Sequence, residues 1–171
     1  MSRVNKTVTN FGGIYIDIPP VATPLPLLEY NSVVWSPFYK QYIEAIERVQ
    51  RRFSKRLPGR KEFTYEERLK FLAWPTLELR HLHTDLIWSY KILFGLVYLN
   101  SDHFFKLSPN QTRGHGFKLY KQFSSSTVRS CFFAQRVVNV WKSLPTSVDF
   151  STLSAFKRSL QRVNLNEFTY L

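Results

Sequence analysis

SPFYKQYIEAIERVQRRFSKRL, residues 36–57, is the stretch whose reading decides the fold. Ile43, Ile46, Val49, Phe53 and Leu57 recur at steps of three or four, which lays one apolar stripe along a helix. Ser36 reads as the N-cap and Pro37 as the first helical residue, and Pro58-Gly59 stops the helix. Arg48, Arg51, Arg52 and Lys55 follow i, i+3, i+4, i+7 on another face. Glu44 and Glu47 stand four residues before Arg48 and Arg51, so ion pairs are expected to neutralise the early turns in part. The last turns keep their positive charge, which the negative C-terminal end of the helix dipole favours. One face packs. The other is either a solvated charge run or a surface that offers guanidinium groups to an anion.

Working outward toward the C-terminus, Thr64 and Glu67 form a capping-box pattern that starts the brief helix YEERLKFL. Trp74-Pro75 interrupts, and Thr76 caps a helix expected to run to about Gly95. Leu79, Leu82, Leu86, Leu93 and Leu96 share its core face, widened by Tyr90 and Val97, with Arg80, His83 and Lys91 on the other side. Ser101-Asp102 caps a single turn, HFFKL, that reads as a hydrophobic plug. Residues 108–129 are rich in turn formers, and FKLYKQF alternates over a strand-length run, so a loop or short strands are expected. Cys131 to Leu144 reads as a helix with Phe133, Val137, Val140, Trp141 and Leu144 inward, and a last helix after Ser151 carries Leu153, Phe156, Leu160 and Val163.

Toward the N-terminus, Leu27 to Trp35 is expected to form a short helix that turns at Asn31-Ser32. Pro19, Pro20, Pro24 and Pro26 favour an extended path before it, and Val8 to Ile18 a hairpin around Gly12-Gly13. The expected fold class is mainly α: about five helices in a bundle with a C-terminal helical extension and a minor β or loop insert. The expected domains are an N-terminal tail at 1–24, a helical domain at 25–100 and the extension at 101–171.

The 171 residues carry a net charge of +12, and 44% are hydrophobic, which supplies a core for one domain. The charge is uneven: neutral over residues 1–39, +5 over 40–80 and +7 over 81–171. Such a basic balance, with a pI of about 10.0, points to a polyanion, nucleic acid first and an anionic membrane surface second. The single cysteine, Cys131, excludes an internal disulfide and a multi-cysteine zinc site, and its neighbours Phe132 and Phe133 favour burial. No apolar run approaches the roughly eighteen residues of a membrane span, and the N-terminus lacks a signal-peptide pattern, so a soluble intracellular protein is expected.

No catalytic signature is expected to operate in this sequence. His81 and His83 are two apart and diverge by about 200° on a helix, which separates them as metal ligands. No aspartates adjoin to hold a pair of magnesium ions, and no phosphate loop, nucleophile elbow or HExxH pattern occurs. TRGHG, around His115, is glycine-rich and basic without being a phosphate loop. Asp85 reads as a local ion-pair or hydrogen-bond partner rather than a base. No cofactor and no metal is implied.

Several blocks nonetheless resemble one family in the right order. LLEYNSVVWSP, IERVQRRFSKRLPG and YEERLKFLAWPTLELRHLHTDLIWSYKILFGL resemble the end of the reverse-transcriptase polyprotein of jockey-like non-LTR (LINE-type) retrotransposons. FFKLSPNQTRGHGFKLYKQF, VRSCFFAQRVVNVWKSLP and LSAFKRSL are similar to that polyprotein's C-terminal tail, so the likeness covers about residues 25–160. The resemblance implies a thumb region from residue 25 to about 100 and a post-thumb extension after it. The catalytic palm of such RNA-directed DNA polymerases would lie upstream, so none of its residues maps onto this chain. Residues 1–24 do not resemble the end of a palm, which is the expectation for a truncated copy or for a reading frame entered mid-element.

A thumb grips the template–primer duplex. The implied function is therefore a non-catalytic fragment that binds RNA or an RNA–DNA hybrid with little sequence specificity. The candidate contacts are Arg48, Arg51, Arg52, Lys55, Arg56, Arg60 and Lys61, with Arg113, Lys118, Lys121 and Arg129 as a second basic region. Tyr39, Tyr42 and Tyr120 are candidates to stack on unpaired bases, against burial as the commoner fate of such residues. The alternative is a protein-interaction or structural fragment, whose apolar surface would meet the missing palm or another copy of the chain.

Overall fold

The computed structural model describes residues 25–109 and 114–171, and within them the chain is mainly helical. The expected hairpin at residues 8–18 and the basic Arg113 lie outside the described residues. Two one-turn helices, α1 (Leu25–Glu29) and α2 (Ser32–Trp35), are joined at Asn31, which takes a left-handed φ of 53° that asparagine tolerates well. The expected turn at Asn31-Ser32 is thus present. The chain continues through α3 (Lys40–Lys55), α4 (Tyr65–Leu72), α5 (Leu77–Leu93), α6 (Thr127–Ser130), α7 (Phe133–Ser143) and α8 (Leu153–Leu160). Single turns of 3-10 helix stand at Ser101–His103 and Asn166–Phe168. Five of the described helices, α3, α4, α5, α7 and α8, have at least eight residues, in line with the five expected.

Local signals placed several ends well. Thr64 and Glu67 form the reciprocal capping box of α4, and Thr76 Oγ1 accepts the Leu79 N–H at the start of α5. Gly95 adopts φ 66° just past α5, and the Leu96 N–H returns 2.8 Å to the Lys91 carbonyl in a Schellman closure. That reversal takes Leu96 off the core face and leaves it exposed.

Other ends differ from expectation. The main basic helix starts at Lys40 with Tyr39 as its N-cap, not at Ser36. Ser36 instead closes α2 through its N–H to the Ser32 carbonyl, while its hydroxyl meets His81 Nδ1 at 3.3 Å. A tertiary partner thus drew the side chain away from the local cap. α8, by contrast, follows Ser151 as expected, with Thr152 as its N-cap. Cys131 precedes α7 and is half-buried rather than buried.

FKLYKQF forms no strand. Its pairing is one antiparallel bridge between Leu107 and Leu119, with Ser108 N–H to Lys118 O at 2.8 Å and Tyr120 N–H to Lys106 O at 2.7 Å. The strict alternation also fails, because adjacent Lys118 and Leu119 are both buried.

α5 packs against α1, α2, α3, α7 and α8. Its C-terminal half supplies Leu86, Tyr90 and Ile92 to the larger apolar cluster, which Val137, Trp141, Phe156 and Leu160 complete. Its first residue, Leu77, joins the smaller cluster of Leu25, Leu57, Leu72 and Trp74. Phe105, from the expected plug, is buried in the larger cluster. The two clusters therefore meet along one helix, and that helix fixes the seat of α3.

Candidate nucleic-acid interface

The seat of α3 is polar as well as apolar. Ile43, Ile46, Val49, Phe53 and Leu57 are buried or half-buried, but Glu47, Gln50 and Ser54 lie on the same side and are almost fully enclosed. Glu47 does not serve as a surface partner for Arg51, as its spacing suggests. Its carboxylate accepts the Leu77 N–H at 2.8 Å and the Tyr65 hydroxyl, so it satisfies a free amide at the start of α5. Gln50 donates to the Pro75 carbonyl and the Tyr65 oxygen, each at 3.1 Å, and accepts from Arg80 at 2.9 Å. Arg80 in turn pairs with Glu29 of α1. Arg68 donates to Ser54 Oγ at 3.1 Å and to the Phe63 carbonyl. Burial pushes the Glu47 carboxyl above its usual range, while the bonds from Tyr65 and Leu77 and the charge of Arg51 pull against that. Desolvation and the facing carboxylate push the Tyr65 phenol up as well.

This inward turn of the acid leaves the outward face of α3 strongly basic. Arg48, Arg51, Arg52, Lys55 and the C-cap residue Arg56 are all exposed. Glu44, expected beside Arg48, pairs back with Lys40 at 3.9 Å. Arg48 and Arg51 border a cleft of about 270 Å³ together with Glu44, Glu47 and Leu171. Arg51 also sits over the Tyr65 ring at 4.7 Å, which steadies a guanidinium that remains in water. Gly59, at φ 70°, turns the chain after Pro58. Beyond it Arg60 lies 3.3 Å over the centre of Phe71, and Lys61 is exposed.

Phe38, Tyr39 and Tyr42 stand exposed in a ladder of edge contacts at the start of α3, with centroids 5.5 and 6.2 Å apart. The tyrosines therefore escape the burial that is common for such residues.

The second basic region is smaller than its sequence suggests. Lys121 and Arg129 are exposed, and Arg113 lies outside the described residues. Lys118 is buried, and its ammonium donates to the Lys142 carbonyl in the last turn of α7. A cation at the C-terminal end of a helix meets orphan carbonyls and the negative end of the dipole, so Lys118 caps α7 and does not extend the basic strip. The same segment is stitched to α7 by Trp141 Nε1–H to the Phe117 carbonyl at 2.6 Å. His115 Nε2 meets the Trp141 carbonyl at 2.8 Å, and its Nδ1 accepts the Phe117 N–H at 3.2 Å. That pattern fits a neutral ring protonated on Nε2, and burial holds His115 below the usual histidine range.

Asp85 is a structural partner. Arg136 grips it through two bonds, Nε–Oδ2 at 2.8 Å and the second guanidinium nitrogen to Oδ1 at 2.9 Å. The same guanidinium donates to the carbonyls of Val33 and Cys131 at 2.9 and 3.2 Å. Burial pushes the Asp85 carboxyl up against the pull of Arg136. His81 meets the Leu28 carbonyl at 2.9 Å through Nε2, so it too has a structural role. Among the described residues no group of histidine, cysteine, aspartate and glutamate is arranged to hold a metal ion, and no helix is long and apolar enough to cross a membrane.

No protein family, no curated protein and no solved structure matches the chain.

Proposed function

We propose that this chain binds nucleic acid through phosphate contacts made by the outward face of α3 and the turn after it. The observation that carries this reading is the division of charge on α3: Glu47 faces inward, while Arg48, Arg51, Arg52, Lys55 and Arg56 face solvent. A row of cations on a rigid helix neutralises successive phosphates and releases their counterions, without reading bases. Arg60 and Lys61 extend the row past the helix end, and Lys121 and Arg129 offer contacts elsewhere on the surface. The resemblance to a polymerase thumb supports an RNA or RNA–DNA duplex as the partner, and a binding role without catalysis.

The direct test replaces Arg48, Arg51, Arg52 and Lys55 by glutamine and measures binding to a duplex at several salt concentrations. Removing four phosphate contacts should lower the steepness of the log–log salt dependence by about 3 to 4. The far-ultraviolet circular dichroism should not change, because all four side chains are exposed. A variant that binds with wild-type affinity and salt dependence refutes the proposal.

A second reading, a surface for protein partners or self-association, is favoured by a cleft of about 320 Å³ between α2, α5 and the Ser101 turn. Val34, Trp88, Leu99 and Phe104 line it, and Val34 is 78% exposed. Sedimentation equilibrium decides it: a monomer at micromolar concentration disfavours self-association.

A further inference from the structure

The geometry points to a second site, a pocket for one unpaired nucleobase at the junction of the extended segment and α7. It rests on the proposed nucleic-acid function for the nature of its ligand, but on different residues. An open pocket of about 450 Å³ lies between Tyr120, Lys121, Phe123, Ser124, Ser130 and Gln135. That size falls within the roughly 300–1,000 Å³ of small-ligand sites.

Two kinds of group border it that an unpaired base would satisfy together. The first is aromatic: Phe123 is 92% exposed and Tyr120 55%, so two rings of the lining present unpacked faces to solvent. Aromatic rings so placed stack on any base, because every base has a π-face. The second is a buried acceptor. Gln135 is only 9% exposed, and its Oε1 has no hydrogen-bond partner. A buried amide oxygen left unpaired is costly, and a small rotation of the Gln135 side chain into the pocket it lines would let an N–H from a base edge satisfy it. The hydroxyls of Ser124 and Ser130 do not satisfy that oxygen, since they donate to the carbonyls of Ser126 and Thr127 at 3.0 and 2.7 Å. Lys121 on the rim supplies a cation for the adjoining phosphate. In a duplex the base faces are stacked and the pairing edges are used; a splayed base offers both at once. The pocket therefore selects single strand, whereas α3 tracks backbone in either form.

The experiment compares a fluorescein-labelled single-stranded RNA 12-mer with a hairpin duplex, using the full chain and the exposed-site variants Tyr120→Ala and Phe123→Ala. Each substitution should weaken single-strand binding by about tenfold and leave hairpin binding within about twofold. The α3 glutamine variant should weaken both. Single-strand affinity that moves by less than about twofold in both aromatic variants overturns the pocket while leaving the α3 reading intact. Should the wild-type chain bind neither RNA, the α3 reading fails and the pocket is judged alone, by titrating adenosine monophosphate and following the Gln135 side-chain amide by NMR. A shift of that amide, lost in Phe123→Ala, sustains the pocket; an unmoved amide overturns it.

Discussion

Replacing Asp85 with alanine tests the physical account of how α2, α5 and α7 are held together. Asp85 is 3% exposed and receives two bonds from Arg136, whose side chain is itself 17% exposed. Removing the carboxylate leaves a largely buried guanidinium without its counter-charge, with the carbonyls of Ser32, Val33 and Cys131 as its remaining acceptors. Breaking one side of a buried pair typically costs about 3–5 kcal/mol, far more than the pair gains over an apolar replacement. At about 2–4 °C per kcal/mol for a chain of this size, the melting temperature should fall by about 10 °C. The double variant Asp85→Leu with Arg136→Met removes both charges, so it should lose at least about 1 kcal/mol less than Asp85→Ala alone. Urea unfolding followed by tryptophan fluorescence measures all three chains. An Asp85→Ala variant within about 1 kcal/mol of wild type, or a double variant no more stable than Asp85→Ala, would refute the reasoning.

Glu47→Leu should destabilise by about 2–4 kcal/mol, because the Leu77 N–H and Tyr65 hydroxyl lose their buried acceptor; Glu47→Gln, which keeps one acceptor oxygen, should cost less, and urea midpoints give the order. Gly95→Ala should cost about 1 kcal/mol in the same assay; its φ of 66° disfavours a side chain, although an added methyl would touch nothing within 4 Å. His115 is held neutral in the folded chain, so its folded pKa lies below the unfolded value of 6.5. As pH falls through that value the unfolded chain takes up a proton the folded chain does not, and stability drops. Glu47, Glu78 and Asp85 are shifted upward by desolvation and act in the opposite sense at lower pH, so the contrast is made with His115→Gln between pH 7.5 and 5.5. Wild type should lose stability relative to that variant across the interval; an unchanged difference would show that His115 titrates normally.

What was legible in the sequence is what neighbouring residues decide. The capping box of Thr64 and Glu67, the Thr76 cap and the Gly95 closure are fixed within one turn, and all three are present. The inward faces of α7 and α8 follow from spacing alone, with Val137, Trp141 and Phe156 fully buried. What was illegible depends on distant chain. Glu47, Gln50 and Ser54 look like surface residues on a basic helix until Tyr65, Leu77, Pro75 and Arg68 arrive to bond them. Lys118 reads as a free cation because nothing near it announces the C-terminal carbonyl of α7. Arg136 carried no signal beyond its charge, although it bridges three helical elements. The exposed arginines of α3 were legible because a solvent-facing charge needs no partner. Gln135 was not, since only its burial distinguishes it.

The most direct test of the central claim is the salt dependence of duplex binding by the full chain. Five exposed cations, Arg48, Arg51, Arg52, Lys55 and Arg56, contacting phosphates predict that log affinity falls against log salt with a slope of about −4 to −5. A flat dependence, or no binding at low salt, would contradict the claim that this face of the molecule is built for a phosphate backbone.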